Sequence, residues 1–294
     1  MVVTVTFEDE STQTTTAYTL SGYDKKTVGT QTVTVRYKGF SDTFDVTVKE
    51  AEAVSISGVT VEDKTYDGKP IEYSGTPTSD NYSGDYEYIW ETADGTVLDS
   101  APINAGNYKL VVKVPSDNLE YVGSTEVSFT INKANLTITA ANMSTNVNSV
   151  VPAYKFTSSG LVGDDALDTI FSCEYTKDSD VGTYVITPTD CTFTSGVKNN
   201  YNIEYVNGTL SIYGSSYNKT SKTVKIYSKY DTDIDCYIVS YAENGTLDGI
   251  KKEHCSLKAD KISTIDISSL KISENDSIKI FLWDNNLTPV EITN

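Results

Sequence analysis

The sequence predicts an all-β protein built as a tandem array of β-sandwich domains. Three observations predict it. Apolar and polar residues alternate with a period of two through most of the chain, as in half-buried antiparallel strands. The alternating runs are short, and turn signals punctuate them about every ten residues, the pattern of a sandwich. One strand-opening motif also recurs at near-equal intervals: Val28-Gly29-Thr30-Gln31, Ala105-Gly106-Asn107-Tyr108 and Val181-Gly182-Thr183-Tyr184. Intervals of that length are too long for solenoid repeats and match successive domains.

The first domain is expected over residues 1–50, with strands at Thr30–Tyr37 and Thr43–Val48. Lys49-Glu50-Ala51-Glu52-Ala53 is a polar join to the second, residues 51–133, which closes on the alternating run Glu126–Ile131. Asn132-Lys133-Ala134-Asn135 leads with almost no slack into the third, residues 134–213. In it, Asn207-Gly208 between Ile203–Val206 and Thr209–Ile212 reads as a tight hairpin, because Asx-Gly pairs suit left-handed turn conformations. Asp94-Gly95 and Asn244-Gly245 carry the same signal. Gly214-Ser215-Ser216 reads as a looser join to a fourth domain, residues 214–294. Short joins restrict the tumbling of neighbours, so the array is expected to be semi-rigid.

Composition narrows the function. The 294 residues carry 23 Lys and Arg against 41 Asp and Glu, a net charge of −18. A field of that sign repels phosphate backbones and anionic lipid, which argues against nucleic-acid and membrane-surface partners. No run approaches the roughly 18 apolar residues of a membrane-spanning helix, and the start, Met1–Phe7, reads as a strand rather than a signal peptide. A single histidine, His254, leaves little room for His-based triads or zinc sites. The 21 Tyr, 8 Phe and 2 Trp supply ample core material.

The residues also resemble known families. Val3–Ser11, Tyr18–Tyr23 and Val28–Val35 resemble the group 3 bacterial Ig-like domain. That family has an opening strand before the equivalent of Val3, so the resemblance implies a cut domain and a chain that is a fragment of a larger protein. Ala134–Ala140, Val151–Tyr154, Ser159–Leu161, and Asn200-Tyr201 leading to Asn207–Leu210 resemble the mostly-bacterial Ig-like (MBG) repeat. The match departs at Val147-Asn148-Ser149, where Tyr-Gly is usual, which touches only a local turn. Lys64–Pro70 and Ala105–Tyr108 are similar to the same class. The fourth domain resembles a C-terminal β-domain of secreted clostridial-type proteins through Lys279–Asp284 and Leu287–Val290. These resemblances make the array one of Ig-like β-sandwich domains. They imply stalks, spacers and adhesin modules on the surface of Gram-positive or gut bacteria, and they bring no catalytic residues.

Several groups are candidates for chemistry. Tyr86, Tyr88 and Trp90 share one face of an expected strand, either as a sugar-stacking platform or as aromatics filling a sandwich core. Trp283, in an apolar run, reads as core. Cys173, Cys191, Cys236 and Cys255 match no zinc or redox spacing. In an oxidising compartment the two close pairs, Cys173 with Cys191 and Cys236 with Cys255, would form disulfides; otherwise all four are small buried hydrophobes. Asp80–Asp85 offers oxygen ligands but lacks the EF-hand pattern. The acidic pairs Glu8/Asp9/Glu10, Asp164/Asp165 and Glu274/Asp276 read as solvated loop charges. His254 and Cys255, as strand neighbours, point to opposite faces and do not form a catalytic pair.

The expected function is therefore that of a non-enzymatic extracellular or cell-surface scaffold, monomeric, with no metal and no cofactor. Two alternatives stand beside it: a module binding glycan or a surface protein, and an accessory fragment of a secreted polysaccharide-degrading enzyme.

Overall fold

A computed structural model describes residues 1–290 and Ile292. Among these residues every regular element is a strand, apart from one 3₁₀ turn at Lys198–Asn200, so the chain is all-β as expected. It divides into two compact units. The first holds Met1–Asp63, Pro70–Pro102 and Asn107–Thr130; the second holds Lys64–Lys69, Ile103–Gly106 and the chain from Ile131 onward.

The first unit opens with β1 (Val3–Thr6) antiparallel to β2 (Thr12–Thr15). Next, β3 (Thr19–Ser21), β4 (Gly29–Tyr37) and β5 (Phe40–Val48) form a three-stranded antiparallel sheet. Lys38 and Gly39, at φ 44° and 90°, make the two-residue turn between β4 and β5, as the right-handed strand twist favours. Two short pairs follow: β6 (Glu52–Ala53) with β12 (Tyr121–Val122), and β7 (Ser57–Thr60) with β9 (Ser74–Thr78). In a further sheet β11 (Gly106–Lys113) lies between β10 (Glu87–Thr92) and β13 (Ser124–Asn132). Leu110 and Val112 on β11 are fully buried, with Phe129 of β13, Val59, Val61 and Ile71 buried in the same unit. Alternation puts Leu110 and Val112 on one face of β11.

The second unit takes in β8 (Lys64–Thr65), which pairs in parallel with Ile131 and Asn132. In it β14 (Ala134–Ala140) is flanked by β16 (Phe156–Ser159) and β19 (Tyr201–Val206). A larger sheet runs β17 (Ala166–Ser172), β18 (Gly182–Ser195), β20 (Gly208–Asn218), β21 (Thr223–Tyr227), β24 (Ile262–Asp266), with β15 (Met143–Asn146) also on β20. The last sheet places β22 (Thr232–Tyr241) between β23 (Leu247–Leu257) and β25 (Ser277–Trp283). One core cluster gathers Ile186, Leu210 and Ile212 with Tyr213 and Tyr227. Another gathers Val224, Ile226, Ile234, Ile238, Leu257, Ile265 and Ile267. Gly29, Gly106 and Gly182 each open the strand the repeat assigns them. At Gly29 and Gly182, φ of 118° and 140° lies where a side chain would strain the backbone.

Two expectations are corrected. Asn207-Gly208 does not make a hairpin, because β19 pairs with β14 and β20 with β15, β18 and β21. The dipeptide instead carries the chain from one sheet to another. Gly208 is required there by close approach: a Cβ would lie 2.6 Å from the carbonyl oxygens of both Ala140 and Ala141. Gly214-Ser215-Ser216 is not a loose join either. It lies inside β20, which pairs with β18 through Gly208–Ile212 and with β21 through Gly214–Asn218.

Candidate functional site

Three side-chain clusters stand out, each inside one unit. In the first unit β10 places Tyr88 and Trp90 on one face, but Tyr86 precedes the strand. Tyr88 stacks on Tyr73, with centroids 4.9 Å apart and planes 23° apart. Trp90 stands edge-on to buried Phe129 at 5.7 Å, which ties it to the core. Tyr86 turns to Tyr82 instead, 5.2 Å away. Its hydroxyl is buried without a hydrogen-bond partner among the described residues, and burial raises its pKa. The expected trio is therefore split: Tyr88 pairs with Tyr73, which the sequence did not single out, and Tyr86 stands apart. In the Asp80–Asp85 loop Asn81 donates to Glu52 and the Tyr82 hydroxyl to the Asp85 carbonyl.

The second cluster covers the outward face of the β23-β22-β25 sheet. Register sets Asp235 between His254 and Trp283, and Tyr237 between Lys252 and Phe281. Ile234, Cys236 and Ile238 alternate with these positions and point into the core. Trp283 is therefore not a core residue, contrary to expectation. The core takes Ile278, Ile280 and Leu282 from β25, while Phe281 and Trp283 face out, because adjacent strand residues point to opposite faces. Trp283 lies 5.0 Å from Tyr237 and 5.8 Å from Phe281, with planes tilted 49° and 47°. Asp235 accepts from Lys252 Nζ at 2.7 Å and meets His254 Nδ1 at 3.1 Å. These partners, Lys252 foremost, hold its carboxyl below the usual carboxylate range. Lys252 also lies over the Tyr237 ring, 5.3 Å from its centroid.

The third cluster is polar. Asp165 accepts from the hydroxyls of Tyr66 and Tyr201, so it is a half-buried acceptor rather than a solvated loop charge. Burial, then the bond to Asp165, pushes the Tyr201 pKa up. Nearby in the chain, buried Asn200 accepts from the Ala105 amide at 2.8 Å and donates to Asn104 at 2.9 Å. These groups bond to one another across the unit, which marks the cluster as structural.

All four cysteines are free thiols, with neither of the two candidate bridges formed. Register sets Cys191 opposite Thr169, while Cys173 lies past the Ser172–Thr187 pair. Cys236 and Cys255 share the core face of neighbouring strands, but Cys236 opposes Glu253 and Cys255 opposes Ile234. Burial pushes the Cys236 thiol up to about 12 and raises Cys255 as well. Cys255 faces the core while His254 faces Asp235, so the two do not meet.

No curated protein matches the chain. One similar solved structure is a SusE-like surface-located polysaccharide-binding protein from the Bacteroides thetaiotaomicron heparin utilisation locus. The match covers 77% of this chain and 62% of that one, at 9% identity and a TM-score of 0.16, a level that carries no inference. The chain thus spans less than two thirds of that protein's length. Family models match two separate stretches: residues 1–48 match the bacterial Ig-like domain (group 3), and residues 136–211 match the MBG domain (YGX type).

Proposed function

We propose that the chain is a non-catalytic scaffold of the bacterial cell surface or exterior, a stalk or spacer of adhesin type that positions neighbouring modules. The observation that carries this reading is the presence of two different bacterial Ig-like matches in one all-β chain. In this reading domains 1–50, 51–133, 134–213 and 214–294 follow one another, the last two joined by the continuous strand β20. Load applied to the ends then meets several barriers in series, and a folded domain resists until its strands separate. The net charge of −18 keeps such a surface soluble.

Stretching the whole chain between handles in a single-molecule pulling experiment tests the reading. Several discrete rupture events are expected, each releasing roughly 50 to 80 residues, or about 180 to 290 Å of extended chain at about 3.6 Å per residue. One rupture releasing the whole length would contradict it. Incubation of the chain with soluble polysaccharides is expected to release no new reducing ends, and steady release would overturn the non-catalytic assignment.

A further inference from the structure

We propose that the outward face of the β23-β22-β25 sheet binds a soluble, neutral glycan chain, with Trp283, Phe281 and Tyr237 stacking against the sugar rings. Three features on that face argue for this ligand. The first is aromatic area in the wrong place for folding. Ile278, Ile280 and Leu282 already supply the core from β25, yet the same strand turns Phe281 and Trp283 outward, beside Tyr237. These three rings are half-buried, and the open part of each offers an apolar surface to the C–H face of a pyranose.

The second is oriented polar chemistry beside the rings. The Asp235 side chain is only 11% exposed and is fixed by Lys252 and His254. Those two remain open to solvent, at 54% and 57% side-chain exposure. His254 Nε2 has no protein partner among the described residues, and the Lys252 ammonium has three donors, not all of them used by Asp235. Groups held this way meet sugar hydroxyls with little ordering cost.

The third is shape and charge, which select the class of glycan. Tyr237 and Phe281 are each tilted nearly 50° from Trp283, so the rings form no single plane. Non-coplanar rings suit one chain whose successive sugars rotate better than a flat crystalline surface. Lys252 and Lys279 are balanced on this face by Asp233 and Asp235, and the chain as a whole carries −18. A polyanionic glycan therefore gains little locally and meets an adverse long-range field. The Tyr73–Tyr88 pair of the first unit is more exposed, but each of its rings spends one face on the other and the neighbouring Trp90 is committed to Phe129.

The proposal is independent of the spacer reading. Its test is titration of the full chain with the hexasaccharides of β-1,4-glucose, β-1,4-mannose and β-1,4-N-acetylglucosamine, with hexagalacturonate as the acidic counterpart and microcrystalline cellulose as the flat one. Trp90→Phe leaves Trp283 as the sole indole, so its fluorescence reports this face, and calorimetric titration reads the Trp283 variant. Saturable change with at least one neutral hexasaccharide is expected. Affinity should fall tenfold or more in Trp283→Ala and in Tyr237→Ala. His254→Ala and Lys252→Ala, on exposed positions, should weaken binding several-fold with the cooperative thermal transition retained, which separates lost binding from lost folding. No binding to any neutral hexasaccharide, binding confined to hexagalacturonate or to crystalline cellulose, or binding abolished by Tyr88→Ala but untouched by all four variants, would each overturn the proposal.

Discussion

Gly208 occupies a point where no side chain fits. The carbonyls of Ala140 and Ala141 crowd it, and beside it Asn142 Oδ1 accepts from the Thr209 amide at 2.9 Å and its hydroxyl at 3.0 Å. Two strand pairs switch sheets together at this level. β14 with β19 and β15 with β20 are both parallel pairs, and the crossings Ala141-Asn142 and Asn207 are clamped to each other. Gly208→Ala is expected to destabilise the second unit by about 1–3 kcal/mol, the usual cost of forcing atoms into a packed site, and Asn142→Ala by about 1 kcal/mol. Denaturant unfolding of the two variants checks both values. The sequence made Asn-Gly look like a hairpin because turn chemistry is local, whereas the choice of strand partner depends on distant β14 and β18. Trp283 was misread for a similar reason: in Ile280-Phe281-Leu282-Trp283 both faces are apolar, so alternation alone cannot say which one is covered. At Cys236 the physics is simpler. Its thiol, raised to about 12 by burial, stays protonated and out of reach at pH 8. Ellman's reagent should therefore label half-buried Cys173 first in the native chain, and Cys191, Cys236 and Cys255 only on unfolding.

At the scale of elements, β20 joins two pairings, and Asp180 secures the place where they meet. From the segment before β18, Asp180 reaches Lys225 of β21 at 2.7 Å and Ser216 of β20 at 3.1 Å. Burial alone would raise its carboxyl pKa, but Lys225, Ser216 and Asn218 together outweigh burial and lower it. A carboxyl held below its unfolded value stabilises the fold fully above that value, near 3.9. The contribution fades as pH falls through the lower folded value. The second unit is therefore expected to lose stability below about pH 4, and Asp180→Asn to flatten that decline while costing stability at pH 7. Thermal melts from pH 7 to pH 2.5 give the comparison. Strands were the most legible elements. Gly29–Tyr37, Phe40–Val48 and Ser124–Asn132 hold the alternating runs the sequence marked. Their partners were not legible, since alternation fixes which face is buried but leaves neighbour and direction open. The outward face of the last sheet was missed for the same reason: His254, Asp235 and Trp283 are far apart in sequence, and only register aligns them.

At the scale of the whole molecule, the account rests on cores that are separate. Leu110 is fully buried in the first unit and Ile238 in the second. Truncating either leaves a cavity whose cost, about 2–5 kcal/mol, falls on the unit that contains it. Cores that are independent register such damage independently, and a shared core does not. Differential scanning calorimetry of the full chain carrying Leu110→Ala or Ile238→Ala separates the two cases. The account predicts that each substitution lowers a different thermal transition and leaves the other in place. A single transition, lowered alike by both substitutions, would contradict it.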